Sequence, residues 1–485
     1  MDQSPPGHDA TYCNPLSLPH YQRGRGSFAK TSPKAWGWLH DPVRRDFREM
    51  ADPTVVRFED KWYLFPSAGM LWESSDLLNW THRPIVPFDP GYAPTVVHHP
   101  SDGYLYLTAS CDRMWRARHP LGPWEDLGHV LDESGQPFRW SDPMLFVDDD
   151  GTMYCYHGLG TDGIYVVRMQ RHNPTHFDGP RRHCFAFNPD HVWERKGEYN
   201  QDPTVSYIEG AWVTKRRGEY YLQYSANGTE WKNYGLGCYR SDSPLGPWRP
   251  QRRNPILLAP RGQGVVNGCA HHSLVEGPND TLWCFYTTLV RNEHAFERRV
   301  GMDPAGFDEN GDLFVAGPTE TPQFAPGVRP DPARDNAVGL LPLTVNQPVR
   351  ASASLPGRDA VYAVDDSIRT WWEAPAGRPQ WIKVDLQAVY QVSAARTIFG
   401  DRGLNYAEGV VPSPYRYQLE ASVDGETWTT VFTNDGSTDE RHIAFDAFPT
   451  TPMRWVRLTV LDVPRGMSVS VLEFTAFGRH ESAGD

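Results

Sequence analysis

The sequence contains few cysteines, and their spacing argues against a common kind of stabilising site. Among 485 residues there are seven, and none lies beyond residue 284. No CxxC pair and no Cys/His cluster with the spacing of zinc ligands occurs, so a structural zinc is not expected. Cys155 and Cys284 fall inside strand-like runs, where a buried free thiol is the ordinary outcome.

Long apolar runs are also missing. No stretch approaches the roughly 20 apolar residues that a membrane-spanning helix needs. The first residues, MDQSPPGHDATYCNP, show no basic region followed by an apolar segment, which a secretory signal would have. The expectation is therefore a cytoplasmic protein with no membrane partner.

Positive charge is not in excess. The chain has 47 Lys and Arg against 60 Asp and Glu, a formal net charge of −13, so nucleic acid is not an expected partner. Aromatic residues are abundant at 13%, and they favour strands and can form platforms for sugars. The 42 Gly and 43 Pro indicate many turns and argue against long helices.

One strand pattern occurs five times in the first two thirds of the chain. Each copy has a short apolar strand, a turn rich in Asp, Gly or Asn, and an aromatic strand. The copies begin at Ala51, Ala93, Ser141, Ile208 and His271. Equivalent points recur at intervals of 41 to 67 residues, which fits about four strands per unit, the size of a propeller blade. A β-sandwich could contain the hairpins, but it would not explain the period.

The pattern therefore predicts an all-β protein that begins with a five-bladed β-propeller. We assign residues 1–325 to this domain and residues 326–340, part of a Pro-rich connector, to a linker. Residues 341–485 contain no cysteine and have short alternating strands in a different order, which indicates a second domain.

Five residues mark the equivalent point of the five copies: Asp52, Ala93, Asp142, Glu209 and His271. Glu209 is given this register because it precedes Tyr220 by 11 residues, as Asp52 precedes Tyr63. The first strand of every blade lines the central channel, so these side chains should converge there. Acids buried together have split pKa values, as acid and base catalysis requires. Hydrolysis of a glycosidic bond needs one acid for the leaving oxygen and one carboxylate to activate water.

Asp202 is a rival for the acid of the fourth copy, because Asp202-Pro203-Thr204-Val205 repeats the motif Asp52-Pro53-Thr54-Val55. It precedes Tyr220 by 18 residues and so falls outside the repeat, in a predicted loop before the blade. There it remains a candidate substrate contact.

The motifs Ala51-Asp52-Pro53, Ser141-Asp142-Pro143, Ile208-Glu209-Gly210 and His271-His272-Ser273 resemble those of glycoside hydrolase family 43, in the same order. The resemblance implies that Asp52 is the general base, that Glu209 is the general acid, and that Asp142 raises the pKa of Glu209 and positions it. It also implies that His271 lies on the channel axis, where this family often holds a calcium or sodium ion through water. No cofactor is expected for the chemistry, and a structural ion near His271 is left open.

Further substrate contacts are predicted around this centre. Trp140 and Trp231 are candidate walls of the sugar pocket, although either could belong to the core. His271 and Arg299 are the other candidates, the latter because it opens the family-like stretch Arg299-Val300-Gly301-Met302-Asp303-Pro304. The second copy departs from the family, since Ala93-Pro94-Thr95 lacks the acid that many relatives place after the proline.

The last third of the chain resembles the discoidin, or factor 5/8 type C, domain, which is related to family 32 carbohydrate-binding modules. The resemblance covers ASASLPGRDAVYAVDDSIRTWWEAPAGRPQWIKVDL and the motif Arg454-Trp455-Val456-Arg457-Leu458. It implies a jelly-roll β-sandwich. Trp371 and Trp372 lie near a ligand-binding loop of that family, but such tryptophans usually belong to the core. Whether the domain binds sugar or only braces the propeller is left open.

The predicted function is that of an inverting exo-glycoside hydrolase acting on an oligosaccharide or glycoside. The terminal sugar is expected to be α-L-arabinofuranose or β-D-xylose, with β-D-galactofuranose as a third substrate. One alternative is a retaining fructosidase of the invertase type, but Ala51-Asp52-Pro53-Thr54 lacks the asparagines that flank its nucleophile motif. The other is a non-catalytic carbohydrate-binding propeller. The oligomeric state is not predicted.

Overall fold

The computed structural model describes residues 10–19, 50–67, 69, 71–83, 90–259, 264–290, 296–403 and 414–480. Nearly all regular elements in these ranges are β-strands, and short 3-10 helices span Val192–Glu194, Pro278–Asp280 and Ala360–Ala363. The described ranges contain no helix that is both long and apolar enough to cross a membrane.

After strand β1 (Thr11–Tyr12), five antiparallel sheets follow one another along the chain. Blade 1 contains β2 (Thr54–Phe58), β3 (Lys61–Phe65), β4 (Leu71–Ser74) and β5 (Trp80–Arg83). Blade 2 contains β6 (Thr95–His99), β7 (Tyr104–Thr108), β8 (Arg113–Ala117) and β9 (Glu125–His129). Blade 3 contains β10 (Met144–Val147), β11 (Met153–His157), β12 (Ile164–Gln170), β13 (Asn173–Phe177) and β14 (Arg182–Phe185).

The last two blades complete the propeller. Blade 4 contains β15 (Glu209–Arg216), β16 (Glu219–Ala226), β17 (Gly235–Ser241) and β18 (Arg249–Pro250). Blade 5 contains β19 (Ala270–Glu276), β20 (Leu282–Leu289), β21 (Arg298–Phe307) and β22 (Leu313–Val315). The inner strands are rich in β-branched and aromatic residues, as in TVVRF of β2 and KWYLF of β3, which suit a pleated, buried sheet. The predicted five-bladed propeller is confirmed.

Apolar side chains fill the junction between each pair of neighbouring blades. Blade 1 packs against blade 5 through Trp72 and Trp283, which closes the ring, and similar clusters join the other four pairs. The seven cysteines are all free thiols. The blades are thus held by burial of apolar surface.

The connector and the second domain follow. Strand β23 (Gln323–Phe324) pairs with β1. The second domain is a β-sandwich made of β24 (Leu341–Pro342), β25 (Val349–Ala351), β26 (Trp372–Glu373), β27 (Gln380–Phe399), β28 (Arg416–Ser422), β29 (Thr429–Thr433), β30 (Ile443–Asp462) and β31 (Ser470–His480). The two long strands β27 and β30 pair along most of their length, with breaks in register at bulges. This confirms the predicted sandwich.

The sandwich packs directly on the propeller. Ile368, Trp371 and Ile443 of the sandwich lie in one buried apolar cluster with Val266 and Tyr286 of the propeller. Trp372 is fully buried in the separate core of the sandwich. Both tryptophans therefore belong to packed interiors in this structure.

Candidate active site

A repeated backbone device places the residue at the head of each first strand. In all five blades this residue has a positive φ: Asp52 (53°), Ala93 (48°), Asp142 (46°), Gly210 (57°) and His271 (38°). In four blades its backbone N–H donates to a hydroxyl of the preceding blade: Asp52 to Thr287, Ala93 to Ser67, Asp142 to Ser110 and His271 to Ser225, at 2.8–3.0 Å. Non-glycine residues seldom adopt this conformation, so the surrounding contacts must impose it.

The structure corrects the register that we predicted for blade 4. Gly210, rather than Glu209, has the positive φ of the other four positions. A β-bulge lies between Glu209 and Trp212, as one lies between Ala270 and His272 at the equivalent point of blade 5. Tyr221 pairs with Thr214, four residues after Gly210, just as Tyr63 pairs with Val56, four residues after Asp52. The equivalent of Tyr63 is therefore Tyr221 rather than Tyr220, and the count of 11 residues starts at Gly210. Glu209 thus approaches the centre from the position before the equivalent point.

Asp52 is almost completely buried, with 3% of its surface exposed, but polar partners surround its carboxylate. Ser67 Oγ donates to Oδ2 at 2.6 Å, while Arg298 Nη1 and His271 Nδ1 lie 3.3 and 3.2 Å from Oδ1. Burial alone would raise the pKa of Asp52, but Arg298, His271 and the Ser67 hydrogen bond outweigh it and leave that pKa below its usual value. Asp52 is therefore a carboxylate at neutral pH, as a general base must be.

Asp142 lies on the other side of His271. Its Oδ2 is 3.6 Å from His271 Nδ1, and Ser110 Oγ donates to its Oδ1 at 3.1 Å. Burial, together with repulsion from Asp52, raises the pKa of Asp142 despite the opposing effect of His271. One imidazole thus stands between two carboxyl groups.

Glu209 is as buried as Asp52 but has far less polar compensation. Its Oε1 accepts a hydrogen bond from Tyr234 at 2.7 Å. Burial and then repulsion from Asp142 and Glu230 hold the pKa of Glu209 well above its usual value, although the Tyr234 bond lowers it. Glu209 therefore keeps its proton near neutral pH, as a general acid must.

Arg298 is the main site residue that sequence reasoning missed. Its Nη1 donates to Thr229 Oγ1 at 2.9 Å and also reaches Asp52. Arg299, which we had predicted to bind substrate, instead donates through Nε to His442 of the sandwich. Neighbouring residues of a strand point to opposite faces, so only one of the two arginines can face the centre. The predicted family-like stretch began one residue too late to include it.

The other predicted substrate contacts lie in three different surroundings. Trp140 is buried at 1% exposure and stacks on Phe177, with ring centroids 5.4 Å apart, so it forms part of the apolar cluster between blades 2 and 3. Asp202 accepts hydrogen bonds from the backbone and hydroxyl of Thr204, which makes it a turn residue, and a contact with substrate there stays a prediction. Trp231 is half-buried and follows Glu230 in the turn that also contains Thr229.

Two further residues, Tyr234 and Glu230, were not assigned from sequence. The carboxylate of Glu230 lies against the backbone of Gly228, where an added Cβ would approach Oε2 to 3.0 Å. Tyr234 follows a turn and is fully buried, and nothing in the local sequence marks it as a partner of Glu209.

The sequence predicts a candidate ion site around His271. Within the described part of the chain, no group of three or more His, Cys, Asp or Glu side chains has the arrangement of a metal site. His271 Nδ1 faces two carboxylates directly, so these residues do not fit direct ligation of a metal there. A calcium or sodium ion held through water remains a prediction, and no step of the reaction depends on it.

A five-bladed propeller in which two buried carboxyl groups, Asp52 and Glu209, have pKa values shifted in opposite directions has the arrangement expected of a glycoside hydrolase. The family described as glycosyl hydrolases family 43 matches residues 41–313, and the F5/8 type C domain matches residues 348–474. The chain belongs to glycoside hydrolase family 43.

Individual relatives are distant. A β-D-galactofuranosidase of Aspergillus niger is 25% identical over 334 residues, covering 62% of this chain and 90% of that protein. An arabinoxylan arabinofuranohydrolase of Paenibacillus polymyxa is 26% identical over 50% of this chain, which spans only 46% of that relative. The crystal structure of a thermostable family-43 glycoside hydrolase has a TM-score of 0.50 at 24% identity, over 66% of this chain and 100% of that one. It shows the shared fold.

Proposed function

We propose that this protein is an inverting exo-glycoside hydrolase that releases a terminal furanosyl or xylosyl unit in a single displacement by water. The observation that supports the proposal is the opposite ionisation of two buried carboxyl groups in one centre. The pKa of Asp52 lies below its usual value and that of Glu209 lies well above its own. Such a pair supplies a base and an acid at the same pH.

In the proposed reaction, the Asp52 carboxylate removes a proton from a water molecule as that water attacks the anomeric carbon. Glu209 donates its proton to the glycosidic oxygen, so the bond from the anomeric carbon to that oxygen breaks while the bond to the water oxygen forms. The attack comes from the face opposite the leaving group and inverts the configuration. The products are the free sugar and the alcohol of the leaving group, and the two carboxyl groups have exchanged protonation states.

Asp142, His271 and Arg298 would support this step without exchanging protons with substrate. The charge of Asp142 favours the protonated form of Glu209, which keeps the acid loaded. His271 and Arg298 hold Asp52 in its carboxylate form and fix its orientation through contacts at 3.2 and 3.3 Å. Positioning of this kind lowers the cost of reaching the transition state.

The substrate class rests on the burial of the centre and on the relatives. The two acting carboxyl groups are 3% and 7% exposed, which favours one terminal sugar ring over the interior of a polymer. We propose α-L-arabinofuranosides or β-D-xylosides as substrates, with β-D-galactofuranosides as the third class. The relatives named for arabinofuranose and galactofuranose are consistent with a five-membered ring.

The test is a panel of nitrophenyl α-L-arabinofuranoside, β-D-xyloside and β-D-galactofuranoside, incubated with the wild type and with Asp52→Ala. We expect turnover of at least one glycoside by the wild type and a loss of kcat on the order of 10³-fold or more in the variant, because water then lacks its base. Circular dichroism should show that the variant is folded. Equal rates in the two proteins would reject Asp52 as the base, and binding without turnover by the wild type would indicate a carbohydrate-binding propeller.

A further inference from the structure

The sandwich contacts the propeller through a short segment, Arg441–Ile443, at the start of β30. Arg441 Nη1 donates to the carbonyl of Ser17 at 2.8 Å, and Ser17 Oγ donates to the carbonyl of Ile443 at 2.8 Å. Between them, His442 is 1% exposed, and its carbonyl accepts the backbone N–H of Phe399 at 2.8 Å. The segment is therefore fixed to both domains.

His442 is joined to Arg298 by one intervening side chain. Arg299 Nε donates to His442 Nε2, and Arg299 Nη1 donates to the backbone carbonyl of Arg298 at 2.8 Å. Because Nε2 accepts, the imidazole is neutral and carries its proton on Nδ1. The guanidinium of Arg299 thus transmits the position of the sandwich to the strand that carries Arg298.

The Arg298 carbonyl is also bound to the strand of the base. Met50 N–H donates to it at 3.0 Å, two residues before Asp52, while the Arg298 side chain reaches the Asp52 carboxylate. The main chain and the side chain of one arginine therefore both fix Asp52. A displacement of Arg299 would act on both.

A second contact from the sandwich reaches the turn that contains Thr229, a partner of Arg298. Arg369 Nη2 donates to Glu198 Oε1 at 2.6 Å, and the same carboxylate oxygen lies 3.2 Å from Lys232 Nζ. Lys232 belongs to the turn that contains Thr229, the other partner of the Arg298 guanidinium. Contacts from the sandwich thus reach both the strand of Arg298 and the turn that contains its partner Thr229.

We propose that His442 of the discoidin-like domain is a positioning residue that holds Arg298, and through it Asp52, so that this domain is part of the catalytic framework. The proposal rests on the assignment of Asp52 as the base. The role does not require the sandwich to bind sugar. It predicts that a change inside the sandwich alters the ionisation of a carboxylate in the propeller.

The experiment compares His442→Phe, which keeps a ring but has no acceptor, with His442→Gln, whose Oε1 can accept from Arg299. On the glycoside that the wild type hydrolyses, we expect kcat/KM of His442→Phe to fall on the order of 10- to 100-fold. The acidic limb of its pH profile should move to higher pH, because a displaced Arg298 depresses the pKa of Asp52 less. His442→Gln should restore both.

Arg441→Ala is the matched control. It removes a hydrogen bond between the domains in the same segment without touching the link to Arg298. We expect the melting temperature to fall while the acidic limb stays unchanged. If His442→Phe behaves like this control, the residue only joins the domains and the proposal is overturned.

Crystal structures of His442→Phe and His442→Gln supply a readout that is independent of activity. In the former the contact between Arg298 and Asp52 should be lost or lengthened, and in the latter it should persist. An unmoved Arg298 in His442→Phe would overturn the proposal even if the wild type hydrolysed none of the glycosides, an outcome that rejects only the proposed function. Should His442→Phe not fold, Arg299→Lys tests the same link, because one ammonium cannot replace both guanidinium contacts.

Discussion

Asp52 and Glu209 are buried to nearly the same extent, yet their pKa values move in opposite directions. Around Asp52, an arginine, a histidine and a serine hydroxyl replace the lost hydration of the carboxylate. Around Glu209, one tyrosine hydroxyl faces the carboxyl group and the neighbouring charges are negative. Burial by itself therefore does not decide the role of an acid, because the partners inside the cavity do.

The largest expected effect is that of Glu209→Ala, and its size should depend on the leaving group of the glycoside. Glu209→Ala should lower kcat on the order of 10²- to 10⁴-fold for a glycoside with an alkyl leaving group, which needs protonation. The loss should be much smaller for a dinitrophenyl glycoside, whose leaving group departs as a stable anion. Rates for the two glycosides give the measurement.

Asp52→Ala is the control for this comparison, because a missing base should impair both glycosides alike. A Glu209→Ala enzyme that loses the same factor on both leaving groups would contradict its assignment as the acid.

A smaller effect should follow from Asp142→Asn. Without the negative charge of Asp142, the pKa of Glu209 should fall, since that charge opposes ionisation of Glu209. The acid then loses its proton at lower pH, so the basic limb of kcat/KM should move to lower pH. A pH profile of the variant checks this, and a limb that stays in place would show that Asp142 does not act on Glu209 through its charge.

The smallest effect, of opposite sign, is expected for Tyr234→Phe. Loss of the 2.7 Å hydrogen bond removes an interaction that lowers the pKa of Glu209. A neutral donor contributes about 1 kcal/mol, so the basic limb should move to higher pH by less than about one pH unit. The pH profile is measured as for Asp142→Asn.

Tyr220→Phe is the matched control, since Tyr220 donates a hydrogen bond of 2.6 Å to Asp148, outside the catalytic cluster. Its basic limb should coincide with that of the wild type. If Tyr234→Phe and Asp142→Asn moved the limb in the same direction, the electrostatic account of Glu209 would be wrong.

The architecture could be predicted because it is repeated. Five copies of a hairpin, with Asp-Pro at the head of two of them, expose a period that any single copy would hide. Asp52 and Asp142 follow from that period, as they are the side chains at the head of two regular first strands. The sandwich was likewise identifiable from its motifs.

Other features depend on geometry that the sequence does not display. In blade 4 the equivalent point is Gly210 and the acid is the residue before it, Glu209, so the expectation that the acid stands at the equivalent point placed the count one residue off. Which of Arg298 and Arg299 faces the centre is set by the phase of β21, which only the neighbouring strands fix. The contact between Arg299 and His442 joins residues 143 positions apart in different domains, and no local sequence pattern predicts such a pair.

The most direct test of the central claim is proton NMR of the sugar at the moment of its release from a glycoside that the enzyme hydrolyses. With Asp52 as base and Glu209 as acid in a single displacement, the first anomer to appear should have the configuration opposite to that of the substrate, before mutarotation mixes the two forms. First appearance of the anomer with the configuration of the substrate would require a covalent intermediate and would contradict the account.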